Sequence, residues 1–316
     1  MNYKSKGVDF SKKMEYKVPP YSKRNWGHPW HSLCSYHGKM KPAIAHILVR
    51  DFTNPGDIVL DPLCGVGTIP FEACLQGRRG IGNDLSKMAY IVSSAKMNYP
   101  TLEEAKKTIA DLRAVVKDKQ TGDVDLSQAD FGLNKKISDY FEINVLKEIL
   151  ILREYFLSLD NMTRGETFSL ACFLHVLHGN RPYALSRTSH PLTPYAPRGE
   201  SIYKNVVDHI EQKVILSFHK EPHPNWERGT AYNLDYRDLH SVAIPEKTVD
   251  AIITSPPFSD SLRFYSQNWM RLWLTGWNAE DFKNVDQRFL ETQQDTNLNI
   301  YIDFFDECHH LLKSGG

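Results

Sequence analysis

Residues 57–84 read DIVLD, PLCGVGT, IPFEACLQG and, after one arginine, RGIGND. That is a short β-branched run, a turn of small residues, an apolar stretch at helical spacing, and a second short run. Two strands joined through a helix run parallel, and such crossovers are right-handed. The unit therefore commits the chain to an α/β sheet covered on both faces. Two more strand-like segments, AYNLDYRDL (231–239) and VDAIITS (249–255), come back only after a long interval.

The interval is of a different kind. Residues 101–116, 141–159 and 165–177 carry apolar residues at helical spacing, and Thr101 with Glu104 forms a capping signal at the first of them. Residues 178–200 (HGNRPYALSRTSHPLTPYAPRGE) hold four prolines and no periodicity, so they predict a long loop, a kind of segment that usually serves a function. A helix follows around 201–218. The spacing thus predicts one sheet interrupted by a mainly helical insertion. Four regions result: a basic arm (1–30), a first half of the sheet domain (31–100), the insertion (101–228) and a second half (229–316). Before the first strand, 25–38 reads as irregular and 40–53 as helical. The last segment, DFFDECHHLLKSGG, reads as a helix and a turn that should feed another strand. The expectation is a fragment or half of a split protein, with a second chain or a C-terminal segment completing the sheet.

Lys plus Arg equals Asp plus Glu, at 38 each, so no global field draws the chain to nucleic acid and any such contact must come from local patches. Residues 1–24 are one patch: Lys4, Lys6, Lys12, Lys13, Lys17, Lys23 and Arg24 face only Asp9 and Glu15. The five cysteines form no CxxC pair, which fits a reducing compartment, and the cytoplasm is expected. No apolar run approaches the roughly 18 residues of a membrane span, and the lysine-rich start lacks a signal peptide's apolar stretch. His175 with His178 and His309 with His310 lack the cysteines or carboxylates of a zinc site, so no metal is expected. Trp269, Leu272, Trp273 and Trp277 form a helical stripe that reads as core.

Asp61 stands at the carboxyl end of the first strand, ahead of Gly65 and Gly67, which let backbone approach a ligand at a helix N-terminus. Ligands of open α/β sheets sit at that edge. From Gly65 the chain reads GVGTIP, with Pro70 where a dinucleotide fingerprint wants its third glycine, which argues against a nicotinamide or flavin cofactor. Asp84, ending the next strand, suits either two ribose hydroxyls or a helix cap. After the last strand-like run come Ser255, Pro256, Pro257 and Phe258. Adjacent prolines leave the ladder and fix an extended backbone. Such a tetrapeptide can aim a serine oxygen and the Pro256 carbonyl at one amino group, while Phe258 offers a face to a planar ring. An exocyclic amine on a heterocycle is a poor nucleophile because its lone pair is delocalised, and accepting both its protons favours a pyramidal, reactive nitrogen. In the long loop, Arg181, Arg187 and Arg198 stand among Tyr183 and Tyr195, a mixture suited to phosphates and exposed bases.

This combination resembles the S-adenosylmethionine-dependent amino methyltransferases of DNA. Their cofactor motif is similar to Asp61-Pro62-Leu63-Cys64-Gly65-Val66-Gly67-Thr68, and Ser255-Pro256-Pro257-Phe258 resembles the form of their catalytic motif found in cytosine-N4 enzymes. HSLCSYHGKMKP (31–42) looks like the segment that closes over the methionine end of the cofactor, and SQNWMRLWLTGW (266–277) also looks family-like. The resemblance covers 26–95 and 229–316. It implies a Rossmann-like methyltransferase sheet and S-adenosylmethionine as cofactor, held by Asp61, Pro62, Cys64, Gly65, Gly67 and Thr68. Asp84 would take the ribose and Asp235 the adenine amino group, with Asp238 the competing choice. It implies double-stranded DNA as partner, a flipped base held by Ser255, Pro256, Pro257 and Phe258, and 101–228 as target-recognition region, with Arg181, Tyr183, Arg187 and Arg198 touching the nucleic acid. Cytosine N4 is favoured over adenine N6 as acceptor. Cys64 is read as a small residue, no nucleophile segment for carbon-5 methylation being present. The rival readings are an RNA base methyltransferase and a catalytically incomplete DNA-binding subunit.

Overall fold

In the computed structural model, which describes residues 3–120, 122–219, 226–257, 264–285, 288–294 and 297–314, the glycine-turn unit folds as its spacing predicts. Strand β1 (Ile58–Asp61) is joined through α3 (Thr68–Leu75) to β2 (Arg79–Asn83), and β3 (Thr230–Tyr232) and β4 (Ala251–Ile252) complete a four-stranded sheet. All pairings are parallel, in the order β3-β2-β1-β4. Ahead of β1 lie α1 (Tyr3–Lys13) and α2 (Pro42–Phe52). Between β2 and β3 come α4 (Lys87–Met97), α5 (Leu102–Lys119), α6 (Ile143–Leu157), α7 (Arg164–Val176) and α8 (Val206–Phe218). The short α9 (Leu239–Val242) precedes β4. After it come α10 (Phe264–Leu274), α11 (Ala279–Lys283), α12 (Leu290–Gln293) and α13 (Ile300–Leu311). The chain is an α/β protein with a Rossmann-like methyltransferase layout.

Side chains alternate across a strand, and β1 uses both faces. Val59 joins Ala45 and Val49 of α2 and Ile69 and Ala73 of α3, while Leu60 joins Ile81, Phe304 and Leu311 on the other side. The helices between β2 and β3 share a further core with the sheet side of the molecule, where Phe71, Val92, Leu112, Ile149, Phe173 and Trp269 meet. Trp269, Leu272 and Trp273 are buried, as the stripe predicts. Thr101 and Glu104 form a complete capping box at α5.

Where a dinucleotide fold uses a third glycine to bring helix and strand close, this chain moves the small residue to the strand. Pro70 lies in the first turn of α3, where a missing N–H costs nothing, and its carbonyl rests over Gly80. A Cβ on Gly80 would stand 2.0 Å from that oxygen.

Three elements differ from the spacing. The segment AYNLDYRDL forms strand only to Tyr232, because Asn233 turns to donate from Nδ2 to the Asp84 and Leu85 carbonyls, both at 2.9 Å. Helix α8 starts at Val206 rather than near 201, since Asn205 caps it by accepting from the Asp208 N–H at 2.9 Å. In the basic arm, residues 3–13 form a helix pinned to the end of α2, where Lys6 donates to the Asp51 carbonyl and Arg50 pairs with Glu15 at 3.0 Å.

Residues 178–200 contain no helix or strand, as expected of a loop, yet their backbone is anchored. Arg271 of α10, fully buried, donates to the carbonyls of Leu174 (3.0 Å), Pro191 (2.9 Å) and Leu192 (3.4 Å). The Pro194 carbonyl accepts from Asn134 (2.6 Å), Tyr140 (3.1 Å) and Trp269 (3.4 Å). Arg271→Met should destabilise the chain by about 3 kcal/mol, because the buried carbonyls lose their donors. Urea unfolding checks the size, and hydrogen exchange should accelerate first within 178–200.

Candidate active site

The strand order reverses at β1: the chain moves outward through β2 and β3, then returns to β4 on the other side. Ligands of open parallel sheets sit outside the carboxyl ends of the strands at such a reversal. Here that crevice brings Asp61, at the end of β1, beside residues 253–257, which leave β4. Ile253 N–H donates to the Leu60 carbonyl at 3.0 Å, and Thr254 Oγ1 donates to Asp61 Oδ1 at 2.7 Å. Two segments nearly two hundred residues apart in sequence thus close one cleft.

Of the residues singled out from the sequence, Asp61, Cys64, Gly65, Thr68, Asp84, Asp235, Ser255, Pro256 and Pro257 line this cleft. Ser255 is exposed to it, and its hydroxyl has no hydrogen-bond partner among the described residues. Pro62 and Gly67 stand behind the wall. The Pro62 carbonyl accepts from Asn83 Nδ2 at 3.1 Å, and a Cβ on Gly67 would meet Ser93 Cβ at 2.7 Å, so Gly67 lets the turn close on α4. Phe258 lies outside the described residues. Asp238 is exposed and heads α9, away from the cleft.

The floor is held by backbone donors. Asp84 Oδ2 accepts from Gly65 N–H and Oδ1 from Ser86 N–H, both at 2.9 Å, which fixes the turn and leaves lone pairs to spare. Burial raises its carboxyl to about 6, against the two N–H groups, which lower it. Burial likewise raises Asp61 to about 7, opposed by Thr254 and the Leu63 N–H. Asp235 caps the turn after β3, and Arg237 takes both its carboxylate oxygens, at 2.8 and 2.6 Å. Burial pushes the Cys64 thiol well above its ordinary range, so it stays neutral.

Residues 36–40 form one wall. They are tethered through His31: Lys39 Nζ donates to its carbonyl at 2.5 Å, and its Nε2 lies 2.6 Å from Glu72 of α3, while the other Glu72 oxygen meets His46 Nδ1 at 3.0 Å. Burial would raise Glu72, but the two imidazoles outweigh it and hold the carboxyl at about 2. Tyr36 lies over the glycine turn: Gly65 has φ +51°, and a Cβ there would come 3.3 Å from the Tyr36 hydroxyl.

Several site residues went unread in the sequence. Thr254 couples the two motifs. Asn83, almost fully buried, donates to the Pro62 and Leu234 carbonyls and accepts from Leu234 N–H, each at 3.1 Å, so it ties the exits of β1, β2 and β3 together. Gln267 and Asn268 of α10 also line the cleft. Their only signal was that they interrupt an otherwise apolar helical face.

The nucleic-acid candidates divide. Arg181, Arg187 and Arg198 line a separate hollow with Lys204. Arg187 donates to the Gly199 (3.0 Å) and Asp139 (3.2 Å) carbonyls, whereas the exposed Arg181 and Arg198 side chains have no hydrogen-bond or ion-pair partner among the described residues. Tyr183 stacks on His175, with ring centroids 5.0 Å apart, outside that hollow.

Residues 29–129 match the family described as UPF0020: RMKL-like, methyltransferase domain. Type II methyltransferase M.MjaII of Methanocaldococcus jannaschii is 25% identical over 122 residues, which is 38% of this chain and 23% of that protein. The aligned part thus spans under a quarter of the curated relative's length. No solved structure matches. With the fold, these likenesses support a methyltransferase. No helix among the described residues is long and apolar enough to cross a membrane.

Proposed function

We propose that the chain transfers a methyl group from S-adenosylmethionine to an exocyclic amino group of a DNA base, cytosine N4 ahead of adenine N6. The observation that carries this reading is the Thr254–Asp61 hydrogen bond, which joins the glycine-turn side of the cleft to the Ser255-Pro256 side. The cofactor fits the residues present: a glycine turn open to the cleft, a buried carboxylate with spare acceptor capacity at Asp84, and a tethered wall at 36–40. Gly65, Thr68 and Asp84 would hold it, with Asp235 limited by its Arg237 fork. When bound, S-adenosylmethionine supplies an electrophilic methyl group on a positively charged sulfur.

The chain's own residues then do the positioning. Ser255 Oγ and the Pro256 carbonyl accept the two amino protons, which concentrates the lone pair on nitrogen, and preorganised acceptors in a rigid loop cost no reorganisation. No side chain forms a covalent bond to the base. The target amine is paired within a duplex, so the base must leave the stack.

Expression in a host without DNA methylation, followed by mass spectrometry of nucleosides from its DNA and RNA, tests the reading. N4-methylcytosine in DNA supports it; N6-methyladenine keeps the class and changes the base. The exposed rings of Tyr183 and Tyr195 suit unpaired bases, which favours RNA as the second reading, and methyl groups in RNA alone would establish that one. DNA binding without any product would leave the subunit reading.

Cofactor affinity should depend on pH through Asp84. Ribose hydroxyls donate to the charged carboxylate, so affinity should be lost as pH falls through about 6, the value to which burial raises this group. Its folded value lies above its ordinary one, so the same burial costs stability as pH rises from near 4 through about 6. Calorimetric titrations between pH 5 and 8 should show the loss, and Asp84→Asn should bind weakly and lose the step near 6, leaving whatever dependence Asp61 contributes near 7.

A further inference from the structure

Gln267 borders the cleft from α10, on the helix that follows the Ser255-Pro256-Pro257 exit. The residue is only 5% exposed, and its amide, which has no hydrogen-bond partner among the described residues, is not one of the sealed polar groups of the interior. The other buried polar groups of this helix are engaged: Asn268 donates to the Phe264 carbonyl at 3.2 Å, and Arg271 to three carbonyls. An amide with no protein partner that borders the cleft keeps its donors and acceptor available to whatever enters there. The cavity is lined on one side by Gly65, Thr68 and Asp84 and on the other by Ser255 and Pro256, and the helix carrying Gln267 follows the Ser255-Pro256-Pro257 exit, which favours the base over the cofactor as its ligand.

Resting on the methyl-transfer reading above, we infer that Gln267 reads the target base, its Nε2 donating to the ring nitrogen beside the carbon that carries the amine. That nitrogen is an acceptor in cytosine (N3) and in adenine (N1). In thymine and uracil the position carries N–H and the neighbouring amine is replaced by a carbonyl. A donor at Gln267 and acceptors at Ser255 and Pro256 therefore match an acceptor beside an amine and oppose the reversed pattern. A site built to hydrogen-bond a group rejects analogues that lack it far more strongly than an apolar pocket could.

The test pairs a substrate change with a residue change. Oligonucleotides carrying cytosine or 3-deazacytosine at the target, where C–H replaces N3, are methylated by wild-type protein, Gln267→Met and Gln267→Glu; the adenine and 1-deazaadenine pair serves if adenine is the base. In wild type the analogue should lower kcat/KM by roughly 10-fold more than it does in Gln267→Met, a coupling that also cancels the analogue's own change in amine reactivity. Gln267→Met should bind S-adenosylmethionine as wild type does, which shows that it is folded. The similarly shaped Gln267→Glu, lacking the donor when ionised, should show the same reduced penalty.

Equal analogue penalties in wild type and both variants would overturn the inference and leave methyl transfer standing. Weakened cofactor binding with a full analogue penalty would also overturn it, by assigning Gln267 to the cofactor. Wild-type protein that methylates no amino-bearing base would overturn the methyl-transfer reading itself.

Discussion

Ser255→Ala should lower single-turnover methyl transfer by roughly 100- to 1000-fold, the range for removing one preorganised group at a reacting centre. S-adenosylmethionine affinity should stay within about twofold, because the links from this loop to β1 run through Ile253 and Thr254 and not through the Ser255 side chain. Single-turnover assays and calorimetry on the same preparation separate the two effects. Equal losses of transfer and affinity would remove Ser255 from the reacting centre. Thr254→Val is the companion variant: it leaves the acceptor in place, removes the side-chain tie to Asp61 while the Ile253–Leu60 backbone bond stays, and should cost rate by loosening the position of Ser255.

Gly80→Val should destabilise the fold by about 3 kcal/mol or more, the upper range of overpacking. The first atom of any side chain there would lie 2.0 Å from the Pro70 carbonyl oxygen and 2.9 Å from Cys74 Sγ. The carbonyl belongs to a helix whose residues Thr68–Cys74 are all buried, so it cannot swing aside as a flexible side chain would. Gly7→Ala is the control: it lies within α1 with nothing inside 4 Å of a new Cβ, and it should stabilise slightly. Urea midpoints of the two variants should move in opposite directions.

How much of this could be read from sequence follows from the range of each interaction. The β1-turn-α3-β2 unit was legible because short β-branched runs, turn glycines and an apolar stretch at helical spacing are local signals. So was the identity of the motifs at the sheet edge. Their meeting was not written in either motif alone: Thr254 and Asp61 are neighbours only because β4 pairs with β1, and strand order is a tertiary fact. The exchange of glycine for proline at 70 read as a departure from one cofactor class. Its structural partner, Gly80, became visible only once α3 was seen to lie on β2. Asn83 gave no signal and Gln267 only its place in the family-like stretch 266–277, where it interrupts an apolar face, since an amide in a strand or helix looks the same whether it staples two loops, faces a ligand or meets solvent. The arginines of the long loop show the converse: charge and spacing grouped them, but Arg187 is occupied with carbonyls while Arg181 and Arg198 are free among the described residues.

The anchoring of residues 178–200 by Arg271 and by the donors on Pro194 has a thermodynamic consequence. A loop whose carbonyls are already held has given up much of its backbone freedom during folding, about 1–2 kcal/mol per residue fixed. It has little left to lose when a ligand arrives. The nucleic-acid contact we propose for this surface should therefore lack the large heat-capacity and entropy signature of coupled folding, and its salt dependence should report the basic side chains around the hollow. An exchange at Arg271, itself buried beneath the surface, should return that ordering cost to the binding step, so association should weaken and its entropy become less favourable.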